Sequence, residues 1–160
     1  MNKEEILAME AGGELDTLVG SLLFDYEIEW HWCWREPECG CWEEVESIHN
    51  DKWVNELIES HKGWGEDKVK KLPCYSITNE DTEGKIYKFW NPVEFYSTDI
   101  SAAWQVVKEL IKLYVFDLYY DDVGELWVCK LFDGQQEYQG YGTAPEAISK
   151  AALLAKLEIK

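Results

Sequence analysis

Residues 97–157 constrain the fold more tightly than any other part of the chain. Ser97, Thr98 and Asp99 supply capping oxygens for a helix start. Ile100, Ala103, Trp104, Val107, Leu110 and Ile111 then recur along one helical face. The run 113–120 is rich in aromatic and β-branched residues, a strand composition. Asp121-Asp-Val-Gly124 turns the chain into a second strand over 125–132, and Asp133-Gly134 is a strong hairpin signal leading to a third over 136–141. Thr143-Ala-Pro-Glu146 reads as a capping box with proline in the first turn. Ala147, Ile148, Ala151, Leu154 and Ala155 form the buried face of the closing helix, and their small size predicts close packing against a sheet.

The first half is less regular. Residues 3–9 predict a short helix, interrupted by Gly12-Gly13. Leu15, Leu18, Val19, Leu22 and Leu23 predict an amphipathic helix over 14–24. Residues 26–46 have no clean period. Trp53, Val54, Leu57 and Ile58 give another helical stripe that stops near Gly63. Two strands, 73–78 and 85–90, flank the polar loop 79–84. Helices, strands, helix, three-strand meander, helix is an α+β order, with an antiparallel sheet packed by helices. At 160 residues one domain is expected.

The net charge is -17, from 15 basic and 32 acidic residues. Such a balance argues against general nucleic-acid binding, which needs cations on the phosphates, and against anionic membranes. It favours basic partners. No apolar run reaches the ~20 residues of a membrane span, and Met-Asn-Lys-Glu-Glu carries no signal-peptide pattern. The chain is expected in the cytoplasm.

The segment HWCWREPECGC, residues 31–41, is the most unusual stretch. Eight acidic residues and one Arg lie within 25–46. His31, Cys33, Cys39 and Cys41 are four ligands of the kind zinc takes in a tetrahedral site. Their spacing, H-x-C-x5-C-x-C, has two one-residue gaps where structural zinc sites usually have two to four. The alternative is a loop whose thiols hold nothing. His49 and His61 could replace a ligand, although each also reads as a surface histidine. Cys74 and Cys129 sit in strand-like apolar surroundings and read as small buried hydrophobes. Trp30, Trp32 and Trp34 would share one face of an extended segment, as a stacking row, a partner anchor or a packed strand face.

Two helix starts, Tyr96-Ser-Thr-Asp99 and Tyr141-Gly-Thr-Ala144, offer backbone amides and hydroxyls, the chemistry of an anion site. Tyr96, Ser97, Thr98, Trp104, Tyr138, Tyr141 and Thr143 are the candidate ligand-binding residues, with capping alone as the alternative. Enzyme signatures such as G-x-S-x-G, H-E-x-x-H and the phosphate loop are missing. No catalytic residue is singled out, although Cys33 beside His31 leaves a thiol enzyme open.

Three stretches, Asn2-Lys-Glu-Glu-Ile-Leu-Ala-Met-Glu-Ala-Gly-Gly-Glu-Leu-Asp-Thr-Leu-Val19, Tyr96-Ser-Thr-Asp-Ile-Ser-Ala-Ala-Trp-Gln-Val-Val107 and Gly142-Thr-Ala-Pro-Glu-Ala-Ile-Ser-Lys-Ala-Ala-Leu-Leu154, resemble the phage ABA sandwich domain family. The resemblance implies a phage or prophage origin and an α-β-α sandwich, and it carries no known catalytic residues. The middle departs from the pattern as a Cys- and Trp-rich insertion at about 26–92.

Together these observations predict a non-enzymatic phage accessory protein that binds. The first candidate partner is a small anionic, nucleotide-type ligand used by host defence, with Lys62, Lys68, Lys70, Lys71, Lys108 and Lys112 as sources of positive charge. The second is a host protein, blocked by an acidic surface or a DNA mimic. A zinc or thiol enzyme is the third reading. A half-covered sheet with surplus Trp also points towards a homo-oligomer.

Overall fold

The computed structural model describes residues 1–35, 42–44, 69–80, 82, 84 and 86–158. They divide into two compact units: Met1–Asp25 with Glu94–Lys160, and Tyr26–Val93. The helical stripe at 53–58, His49, His61, Lys62, Lys68, Cys39 and Cys41 lie outside the described residues.

The first unit holds four helices and a sheet among the described residues. Helix α1 is Lys3–Ala8, α2 is Gly13–Leu23, α3 is Ile100–Leu110 and α4 is Ala144–Lys156. Strands β5 (Val115–Asp121), β6 (Leu126–Phe132) and β7 (Glu137–Gly142) form an antiparallel meander in the order β5-β6-β7. Helix α4 is the centre of this unit. It packs on β6 and β7, and α1, α2 and α3 all contact it. Every residue from Ala151 to Ala155 is buried. Alanine lets the helix approach closely, and Gly140 of β7 completes the fit. A Cβ on Gly140 would lie 2.0 Å from the Ala147 carbonyl oxygen and 2.6 Å from the Ala151 nitrogen.

The chain ends of these helices are fixed by their own side chains. Asn2 and Glu5 form a reciprocal capping box on α1, at 2.9 and 2.8 Å. Lys150, buried on α4, donates to the Leu7 carbonyl at 2.9 Å and to Glu146 Oε1 at 2.7 Å. It thereby satisfies a carbonyl in the last turn of α1.

The second unit is a four-stranded antiparallel sheet in the order β2-β1-β3-β4. Its strands are β1 (Ile28–Arg35), β2 (Trp42–Glu44), β3 (Val69–Glu80) and β4 (Ile86–Pro92). The register pairs His31 with Leu72 and Glu29 with Cys74, so Glu29, His31 and Cys33 share a face with Leu72 and Cys74. Trp30 and Trp32 take the other face, with Lys71 Nζ 5.7 Å from the Trp32 ring centroid.

The molecule is therefore α+β with antiparallel sheets and helices, as its residue pattern predicts, and consistent with an α-β-α sandwich. No described helix is long and apolar enough to cross a membrane.

Candidate binding surface

The meander presents two different faces. Strand register puts Phe116, Leu131 and Tyr138 in one cross-strand row and Leu118, Cys129 and Gly140 in the next. Leu131, Cys129, Tyr138 and Gly140 are buried, so this is the face under α4. The opposite face carries Val115, Phe132 and Glu137 in one row, Asp117, Lys130 and Gln139 in the second, and Tyr119, Val128 and Tyr141 in the third.

That outer face is apolar beyond what a solvated strand face needs. Val115 is 68% exposed, Phe132 41%, Tyr119 39% and Tyr141 36%. Val128, which stands between Tyr119 and Tyr141 in the third row, is 3% exposed. Exposed apolar side chains clustered in this way mark interaction surfaces, whereas isolated ones do not.

A polar belt crosses the same face. The Tyr141 hydroxyl donates to Gln139 Oε1, and Gln139 Nε2 donates to Glu137 Oε1. Glu137 Oε1 lies 3.4 Å from Lys130 Nζ, which sits 5.7 Å from the Tyr119 ring centroid. The Gln139 hydrogen bond, with help from Lys130, holds the Glu137 carboxyl below its ordinary range. Desolvation acts to lower the Lys130 pKa, but the charge of Glu137 and the Tyr119 hydroxyl outweigh it, so the ammonium is favoured. The belt fixes the tyrosines and neutralises the cation. Asp117 and Asp121 place two further carboxylates on the same face.

The residues expected to hold a small anion are distributed differently. Tyr96 is 1% exposed and stacks on Phe24 with centroids 5.2 Å apart. Ser97 is fully buried. Its N–H donates to Asp16 Oδ1 at 2.7 Å, and its Oγ accepts from the Gly12 N–H at 2.8 Å. Ser97 ties the loop before α3 to the start of α2, and Tyr96 packs against its C-terminal end. Thr98 is exposed, and so is Trp104, which lies 6.0 Å from Phe116 by ring centroids. Tyr138 is buried under α4, edge-on to Tyr114. Tyr141 points to the opposite face of the same strand, so the two tyrosines do not share a pocket. Thr143 is the N-cap of α4.

Both helix starts also already have a carboxylate in place. Asp99 Oδ1 accepts from Ser101 N at 2.6 Å and Ala102 N at 3.3 Å. Glu146 Oε2 accepts from Thr143 N at 3.2 Å. An incoming anion would meet these charges before it met the amides. An open depression of about 840 Å³ beside α1 and the start of α2 is edged by Glu5, Glu10 and Glu14 and is equally unsuited to an anion.

Of the expected zinc ligands, His31 and Cys33 are described. The His31 ring stacks on Trp90 at 4.4 Å, and its Nε2 is 3.6 Å from Glu29. Cys33 is fully buried, with its Sγ 3.5 Å from that of Cys74, too far for a disulfide between them. Among the described residues, no group of three or more His, Cys, Asp or Glu is arranged to hold a metal ion. A nucleophilic thiol needs access and a lowered pKa, and the buried Cys33 lacks the first. Cys129 lacks both: burial, with the Asp117 charge in support, pushes its pKa up to about 12.

The fold and these sites can be set beside known proteins. The model of the phage ABA sandwich domain matches residues 33–153, and the chain belongs to that family. The fold is similar to that of a phage protein from Bacillus cereus ATCC 14579, solved at 2.0 Å, with a TM-score of 0.50 and 21% identity over 91% of each chain. No curated protein matches.

Proposed function

We propose that this phage protein acts by binding, without catalysis, and that it uses the outer face of the β5-β6-β7 sheet to block a basic host protein. The observation that carries this reading is the pair of exposed apolar rows, Val115 with Phe132 and Tyr119 with Tyr141, on either side of the polar row Asp117, Lys130 and Gln139, with Asp121 and Glu137 on the rim. Tyrosine and phenylalanine anchors interleaved with polar groups are a composition that protein interfaces use. With a net charge of -17, the rim steers towards a basic groove, such as one that would otherwise hold DNA. Blocking a defence protein of the host in this way would give the phage its benefit. The test is capture of host proteins on the immobilised chain at low and high salt, beside a Tyr119→Ser/Tyr141→Ser variant. Capture of a basic protein that both salt and the variant abolish supports the reading. Capture unaffected by the variant sinks it.

The same tyrosines support a second reading, capture of a small nucleotide-type anion. Tyr119 and Tyr141 stand two strands apart over Val128, about 10 Å between backbones, wide enough to sandwich a planar ring, with Lys130 alongside. Glu137 already pairs with that lysine, and Asp117 stands in the same row, which is why this reading ranks second. Calorimetric titration with cyclic and linear nucleotides decides it: heat lost in Tyr141→Ser supports it, and no heat removes it.

A further inference from the structure

The three-stranded sheet has unequal edges. Strand β7 is backed by α4, whereas β5 contacts chiefly β6. Among the described residues, no strand pairs with the far edge of β5. Its sequence, VFDLYYD, has no proline and no lysine, two of the usual devices that keep an open edge from pairing. Its residues are half-buried or exposed on both faces, with Val115 at 68%, Tyr119 at 39% and Tyr120 at 47%.

We propose that β5 pairs antiparallel with β5 of a second copy of this chain, joining two meanders into one six-stranded sheet. A two-fold axis normal to the sheet keeps the apolar faces of both copies on one side only if residues of like parity stand opposite each other. Three such registers are centred near the middle of the strand. Centring on Asp117 sets that carboxylate against its own copy. Centring on Tyr119 sets Asp117 against Asp121. Centring on Leu118 pairs all seven residues of β5 and sets no carboxylate against another. In that register Phe116 faces Tyr120, Leu118 faces Leu118, Asp117 faces Tyr119 and Val115 faces Asp121. Cross-strand aromatic pairs favour it, and like charges directly opposite disfavour the two rivals. The strand is therefore self-complementary in this one register, with aromatic opposite aromatic and no carboxylate opposite another. The two outer faces of the binding surface become continuous across the new pair.

The proposal is independent of the partner reading, because it is measured on the purified chain alone. Sedimentation velocity across a concentration series should show mass rising from 18.7 kDa towards twice that value. Association should strengthen as salt screens the charge of each copy, opposite to the salt response of a basic partner. Tyr119→Asp places a carboxylate against Asp117 of the second copy and should weaken association at least tenfold. Tyr119→Lys places an ammonium there and should tighten it. Circular dichroism confirms that each variant is folded, and Val115→Asp against Val115→Lys repeats the contrast at Asp121. A chain that stays monomeric throughout, or a dimer indifferent to the sign of these charges, overturns the proposal.

Discussion

Asp16 shows how much of the framework rests on single polar groups. It is 1% exposed on α2, and its Oδ1 accepts the Ser97 N–H across 81 residues of sequence. Burial raises its pKa, against the lowering effect of the Ser97 hydrogen bonds. A carboxyl whose folded pKa lies above the unfolded value stabilises below the unfolded value, near 3.8, and loses that contribution as pH rises through the folded one. Asp16→Asn keeps an acceptor and drops the charge. Thermal melts should therefore show it gaining on the wild type between pH 4 and pH 7. Asp16→Ala leaves the Ser97 amide unpaired and should cost about 1–3 kcal/mol at either pH. Equal behaviour of the two variants across that range would contradict this account. Cys129 gives a second test at this scale. Its thiol is buried with a pKa of about 12, so alkylation at pH 8, followed by mass, should leave it unmodified until the chain unfolds. The burial of Cys129 was expected from its apolar, strand-like surroundings, whereas the tie between Asp16 and Ser97 was not. Ser97 and Tyr96 read as ligands because a hydroxyl and an aromatic ring at a helix start look alike whether they face solvent or a distant helix. Their partners, Gly12, Asp16 and Phe24, lie more than seventy positions away.

Elements were more legible where local chemistry and periodicity agreed. The predicted helix starting beside Ser97, Thr98 and Asp99 begins at Ile100, and the three strands expected over 113–141 fall at 115–121, 126–132 and 137–142. Capping, turn glycines and alternation all point the same way there. Strand β1 was not separable from a loop, because Trp, His and Cys alternate without an apolar and a polar side. Strand β3 extends to Val69–Glu80, beyond the apolar core of the predicted strand, because β1 pairs with its lysine-bearing start. The tight α4–β7 contact was foreseen from the alanines, but Gly140 as its counterpart was not. Gly140→Ala drives a Cβ into the α4 backbone. We expect a loss of about 3 kcal/mol or more, roughly a 10 °C fall in melting temperature for a chain of this size. A change under 2 °C would show that the helix can retreat at little cost.

For the whole molecule, class and family were legible in the residue pattern, but the face that matters was not. Period-two alternation in the meander was visible, yet both of its sides carry aromatics, so which side meets α4 depended on where the helix lands. Charge was legible from composition, and its placement around Tyr119 and Tyr141 was not. Recruitment of a basic partner by this face has a direct test. The direct measurement is the amount of host protein retained by wild-type chain and by Tyr119→Ser/Tyr141→Ser at roughly 50 mM and 500 mM salt, concentrations that span strong and weak screening. Recruitment through Tyr119 and Tyr141 predicts a basic protein retained by the wild type at low salt, at least tenfold depleted in the variant and released at high salt. Equal retention by both chains would contradict it.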